Sequence, residues 1–191
     1  MENKQVKKST KRKEPKGPSK VNLLDKRILY INTDIEGFNS SCIVEALLKI
    51  DNTKGKNEDI TIYINSPGGS VPAGLAIYDA MQMVKSDIKT ICIGHCASMA
   101  AVLLSGGTKG KRFITKNSEV MIHEVSTFSM GKMEKVKNDL EHSNKVNEKV
   151  LQILANNTGQ PLKKITKDTL KDKWFSSQEA IEYGLCDKIL S

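Results

Sequence analysis

The sequence has no long apolar run. Nothing along its 191 residues approaches the roughly eighteen apolar positions of a membrane span, and its first twenty residues lack the apolar centre of a secretory signal. A soluble, cytoplasmic protein without membrane contact is expected. Paired cysteines are missing as well. Cys42, Cys92, Cys96 and Cys186 form no C-x-x-C pair, which argues against a zinc site or a dithiol redox centre and leaves reduced, mostly buried thiols as the expectation. Histidine is scarce: His95, His123 and His142 are the only three, so any reaction that needs an imidazole base must choose among them. Acidic residues are nearly absent from one end. Residues 1–20 carry Lys4, Lys7, Lys8, Lys11, Arg12, Lys13, Lys16 and Lys20 against Glu2 and Glu14 only, a net +6 of the chain's +8.

With Val6 almost its only aliphatic residue and Pro15, Gly17 and Pro18 at its end, that segment buries too little apolar surface to offset its ordering entropy. It reads as a disordered basic tail, a solvated arm in preference to a nucleic-acid or lipid contact. The rest is nearly neutral. A hydrophobic fraction of 38% and a charged fraction of 27% are ordinary for a globular chain and exclude collagen-like or wholly disordered classes. Residues 21–191 therefore read as one domain.

Strand and helix patterns alternate along it. Arg27–Asn32 is a short β-rich run, and from Ser40 the positions Ile43, Ala46, Leu47 and Ile50 recur at helical spacing. After the polar loop 51–59, Ile60–Ile64 reads as a buried strand. Ser70 caps a helix with Pro72 in its first turn and Ile77, Met81 and Val84 on its inner face. Ile88–Gly94 is a third strand, followed from Ser98 by a short apolar helix ending at Gly106 and Gly107. Lys111–Ile114 and Glu119–His123 are further strands. Val136, Leu140, Ser143, Asn147, Val150 and Leu154 then trace one partly polar face of a long helix ending near Gly159. Ser176 with Glu179 forms a capping box for a last small helix closed by Gly184, before a terminal strand over 185–190. The alternation predicts an α/β fold around mainly parallel strands.

Two turns carry chemistry. In Asn65–Ser70 (NSPGGS), adjacent glycines between a strand and a helix let backbone N–H groups approach a bound group, although such a turn alone is more often only a turn. In Gly94–Ala100 (GHCASMA), Ser98 stands among small residues at a helix start, where free N–H groups favour a developing anion. The segment is not a G-x-S-x-G elbow, and by itself Ser98 reads as a helix cap. His123 closes the apolar run VMIH and is the histidine best placed at a strand end; His142 lies among polar helix residues, and His95 reads as structural. Asp168, Asp172 and Asp187 are all open as the acid.

YINSPGGSVPAGLAIYDAMQ, ICIGHCASMAAVLLSGGTKGKRF, NSEVMIH, NTGQPL and SSQEAIEYGLCDKIL, taken together, resemble the proteolytic subunit of the Clp protease over about residues 24–190. The resemblance implies a crotonase-like, Clp-protease-like fold of repeated strand-helix units with a long handle helix. It implies a serine endopeptidase with Ser98 as nucleophile, His123 as base and Asp172 as the orienting acid, and an oxyanion hole made by the backbone N–H groups of Gly69 and Met99. It also implies an extended groove lined by Gly68, Ser70, Val71, Glu124 and Val125 for unfolded protein substrates. No metal or cofactor is implied for this chain. The implied partners are further copies in a heptameric ring, stacked into a tetradecamer, and an AAA+ unfoldase that alone spends ATP. The chain departs from the family's pattern at its lysine-rich start, at Thr61 and Met83 where the unfoldase docks, at 124–134 after the histidine, and at Leu170 and Lys171 where rings meet. Two other readings stand beside this one: a crotonase-like acyl-CoA enzyme, which needs no such triad, and a catalytically idle paralogue that binds a partner subunit.

Overall fold

The computed structural model describes residues 22–53 and 58–190, so the basic tail at 1–20 and the middle of the 51–59 loop lie outside the described residues. Alternation sets the central strands. In β2 (Ile60–Ser66), Ile60, Ile62, Ile64 and Ser66 are buried while Thr61, Tyr63 and Asn65 are half-exposed. It lies parallel to β1 (Ile28–Ile31) on one side and β3 (Ile88–Ala97) on the other. The path continues through β4 (Arg112–Thr115) to β7 (Lys188–Leu190), all parallel. Crossover helices α1 (Gly37–Asp51), α2 (Val71–Met83) and α3 (Met99–Ser105) follow the first three strands, as parallel pairing requires.

β3 is longer than its apolar run suggests, and it forks. Thr90 to Cys92 pair with Arg112 to Ile114 of β4, whereas His95 to Ala97 pair with Glu119 to Met121 of β5 (Glu119–Ile122). Between the two halves the β2 register jumps from Ile64↔Cys92 to Ser66↔Cys96, so extra β3 residues bulge out around Gly94. β5 then pairs antiparallel with β6 (Lys173–Ser176). The outcome is a parallel sheet with an antiparallel arm.

Several details differ from the sequence expectation. Helix α1 starts at Gly37, ahead of Ser40, because Asn39 Oδ1 accepts the Glu36 N–H at 2.8 Å; Ser40 is buried and donates to Ala73 O at 2.8 Å, tying α1 to α2. Helix α4 (Met133–Thr158) does not have one continuous inner face. Its buried residues are Val150, Leu151, Leu154 and Ala155, while Leu140 in its first half is exposed. Helix α5 (Leu162–Thr169) and strand β6 escape the sequence pattern, since Ile165 is the only buried large apolar residue of α5 and Phe175 the only one of β6. Helix α6 (Ser177–Tyr183) has the expected Ser176–Glu179 capping box. All four cysteines are free, Cys42 exposed and the others buried.

A buried ion pair closes the sheet's β4–β7 edge. The Arg112 guanidinium meets Asp187 at 2.5 and 3.0 Å and donates to the carbonyls of Asn157 and Gly184, each at 2.9 Å, joining β4 to the ends of α4 and α6. Arg112 is 4% and Asp187 17% exposed. Burial pushes the Asp187 carboxyl up, but the Arg112 hydrogen bonds outweigh it and hold it below its ordinary value. A depressed carboxyl contributes stability above the unfolded carboxylate range and loses it as pH falls through the folded value. Asp187→Asn leaves Arg112 uncompensated and is expected to cost about 3–5 kcal/mol at neutral pH in a denaturant titration. The gap from wild type should narrow in acid; a gap independent of pH would contradict this account.

Candidate active site

The two chemistry-bearing turns lie side by side at the C-terminal ends of β2 and β3. Ser66 Oγ donates to Thr33 O at 2.7 Å and accepts the Gly68 N–H at 3.1 Å, which starts the turn. The Ile35 N–H donates to Gly68 O and the Ser70 N–H to Ile35 O, each at 2.7 Å, in an isolated parallel bridge. That pairing turns the Gly69 N–H away from Ile35. Gly68 (φ +95°) and Gly69 (φ +146°) leave no room for side chains. A Cβ on Gly68 would stand 2.6 Å from Ala97 O, 2.7 Å from Ser98 Cβ and 2.9 Å from Met99 N, and one on Gly69 would stand 2.4 Å from Ile35 O. Glycine is therefore what lets the backbone of this turn rest on the serine turn.

Ser98 is held in a costly conformation, φ +54° and ψ −125°, worth about 1–3 kcal/mol of strain for a residue other than glycine. Its N–H donates to Met121 O at 2.9 Å, and its carbonyl accepts from Ala101 and Val102 at the start of α3. The sharp strand-to-helix turn exists here without the G-x-S-x-G pattern. Ser98 Oγ makes no capping bond to α3; it lies 2.8 Å from His123 Nε2. The N–H groups of Gly69 and Met99 make no hydrogen bond among the described residues.

His123 immediately follows β5, and the β5–β6 arm carries the carboxylate to it. Ile122 pairs with Lys173, and the Glu124 N–H donates to Thr169 O at 2.8 Å. The residues on either side of His123 are thus pinned to the two ends of the loop Leu170–Asp172. Asp172 Oδ1 lies 3.2 Å from His123 Nδ1, the imidazole being 26% and the carboxylate 63% exposed. The other candidates are engaged elsewhere. Asp187 holds Arg112, and Asp168 holds Lys164, Lys173 and the Tyr183 hydroxyl. His95 sits on the bulged part of β3, where its N–H donates to Asn65 Oδ1 at 3.3 Å, and His142 is exposed on α4. Cys96, two residues from Ser98, is fully buried with its thiol donating to Ile64 O; burial pushes that thiol well above its ordinary range, so it offers no thiolate.

A cavity of about 250 Å³ opens beside Ser98 and His123. Val71, Met99, Val102, Val125 and Leu154 give it apolar walls, and Glu124 and Ser126 stand at it as well. A second hollow, lined by Ser70, Val71, Val125, His142 and Val146 among others, continues from it along α4. Gly68 lines neither hollow; it packs beneath the Ser98 turn. Val102, Ser126 and Leu154 were not singled out as groove residues, and Leu154 was visible only as part of an apolar helix face. The polar positions on that face have a use. Asn147 Oδ1 accepts the Val125 N–H at 3.0 Å and Ser143 Oγ bonds Thr127 Oγ1 at 2.9 Å, so α4 carries the strand-like segment after His123.

A mostly parallel α/β sheet with serine, imidazole and carboxylate in line at its C-terminal edge defines a class of hydrolase-like scaffolds. Within it, the protein-family description that matches is Clp protease, over residues 12–191. The chain belongs to the Clp protease family, and that membership implies a peptidase of that type. The match begins inside the basic segment. Among the described residues no helix is long and apolar enough to cross a membrane.

Gly68→Ala should fold yet displace the Ser98 turn. A misplacement on the order of 1 Å costs about 100-fold in rate. The expected result is a loss of at least that order in the rate at which a fluorophosphonate labels Ser98; unchanged labelling would show that the close approach is not required.

Proposed function

We propose that the protein is a serine endopeptidase that cleaves unfolded polypeptide through an acyl-enzyme on Ser98. The observation that carries this reading is the 2.8 Å approach of Ser98 Oγ to His123 Nε2, with Asp172 behind the ring on Nδ1. With its proton on Nδ1, facing Asp172, the imidazole is free at Nε2 to accept the Ser98 proton as Oγ attacks the peptide carbonyl carbon. The resulting oxyanion takes hydrogen bonds from the Gly69 and Met99 N–H groups, both on turns held rigid by the Gly68 contact. The imidazolium then protonates the departing amine, and water repeats the sequence on the acyl-enzyme. These side chains and amides supply every group the reaction needs, so in this reading the chain uses no metal or cofactor of its own, and ATP is used only by a partner AAA+ unfoldase if one binds.

The groove supports the substrate class. An extended peptide lying between the Gly69–Val71 and Glu124–Ser126 segments gains affinity through main-chain hydrogen bonds, and the apolar cavity accepts an apolar side chain next to the cleaved bond. Broad cleavage of unfolded proteins follows. We also read the chain as a subunit of a ring of copies in the cytoplasm. The exposure of Phe128, Met130, Met133 and Leu140 around the first half of α4 supports further contacts there.

Fluorophosphonate should label Ser98 and fail on Ser98→Ala, which distinguishes an active enzyme from an idle paralogue; labelling of Cys96 instead would end the assignment. Asp172→Asn should cut kcat by about 10,000-fold, the loss known for removing the orienting acid of such a triad. Sedimentation of the full chain should give a multi-subunit ring, and a monomer at all concentrations and salts would contradict assembly.

A further inference from the structure

The acid of the site is poorly held by its own contacts. Asp172 is 63% exposed, its hydrogen bond to His123 is 3.2 Å long, and Leu170 beside it is exposed too. Its aim must come from the ends of its loop. Asp168, the last residue but one of α5, is only 15% exposed and its carboxylate has three donors: Lys173 Nζ at 2.7 Å, Lys164 Nζ at 2.8 Å and the Tyr183 hydroxyl at 2.7 Å. Those donors come from β6, from α5 itself and from α6. Asp168 and Lys173 bracket the loop, so their ion pair closes it across its base. The same contact keeps the Lys173 ammonium on Asp168 rather than on its sequence neighbour Asp172.

We infer that Asp168 is a positioning residue for the peptidase reaction, clamping the Leu170–Asp172 loop so that the Asp172 carboxylate faces His123 Nδ1. The inference rests on the serine-peptidase reading above. An aromatic platform sits under the clamp. Lys164 lies 3.9 Å and Lys173 5.5 Å from the Tyr183 ring centre, and that ring packs on buried Phe175 at 4.7 Å. Burial pushes the Asp168 carboxyl up, but the bonds from Lys164, Lys173 and Tyr183 outweigh it and hold it well below the usual range. Burial and the Asp168 charge push the Tyr183 phenol up, so it stays a donor. The Asp168 carboxylate is therefore held charged at neutral pH, facing its three donors.

A residue that acts only through Asp172 has a signature that general stabilisation lacks: its loss matters little once Asp172 is gone. The test compares Asp168→Asn, Lys173→Met and Tyr183→Phe, each in the wild-type chain and in Asp172→Asn. The readouts are the rate constant for fluorophosphonate labelling of Ser98, and kcat and KM on a fluorogenic peptide. In the wild-type background Asp168→Asn is expected to lower the labelling rate and kcat by about 10- to 100-fold with KM within about twofold. In the Asp172→Asn background the further loss should be under about twofold. Equal losses in both backgrounds, or no loss in the wild type, would overturn the inference. If Asp168→Asn does not fold, Tyr183→Phe and Lys173→Met decide by the same comparison, with smaller losses of the same Asp172-dependent kind. Failure of the triad reading is separately visible, because Asp172→Asn alone would then label Ser98 at the wild-type rate.

Discussion

The site depends on one steric condition: the turn after β2 must lie directly on the turn after β3. With Ala97 O, Ser98 Cβ and Met99 N all inside 3 Å of where a Gly68 Cβ would be, the Gly68 backbone lies directly against the backbone and Cβ of the serine turn. Two consequences follow from it. The strained Ser98 backbone is braced from below. Gly69, Ser98 and Met99 are also brought to the wall of one cavity, and in the reading proposed above that places nucleophile and anion-stabilising donors together, where preorganised electrostatics act most strongly.

The other half of the site is built differently. His123 and Asp172 come from the antiparallel β5–β6 arm, and they reach the serine because β3 abandons β4 after Cys92 and takes β5 as its partner. The bulge around Gly94 makes that exchange feasible, since it lets β3 bend between two neighbours. The Ser98 N–H bond to Met121 O then fixes the serine turn against the strand that ends in His123. Nucleophile and base are thus aligned through a single shared strand, while the acid depends on a loop at the far side of the arm.

What the sequence revealed follows this division. The parallel units were legible because isoleucines at alternate positions in β2 and turn residues such as Ser70–Pro72 signal locally; His123 stood at a strand end, while Ser98 alone read as a helix cap until the resemblance assigned it. The antiparallel arm was not. A strand of four residues with Phe175 as its only large buried residue carries no period, and α5 presents Ile165 alone to the core. Asp172 therefore needed the resemblance to be picked out. The polar face of α4 was readable as polar but not as useful, because the bonds of Asn147 and Ser143 to the 125–127 segment join residues sixteen or more positions apart.

Three aspartates between 168 and 187 had equal claims by spacing, and the fold separates them by what surrounds each. Asp187 lies beside a buried guanidinium whose charge would be ruinous alone, so its carboxylate is committed to stability. Asp168 is reached by two lysines and a phenol, so its charge is spent on holding chain segments together. Asp172 has only His123, and its exposure to water means that it adds less electrostatic energy to the imidazolium than a buried acid would. In the proposed triad its leverage is directional, selecting which ring nitrogen keeps the proton. A weakly coupled, solvent-exposed acid can do this only while its loop stays in place, which makes the aim of Asp172, more than the strength of its field, the quantity that this part of the structure is organised to preserve.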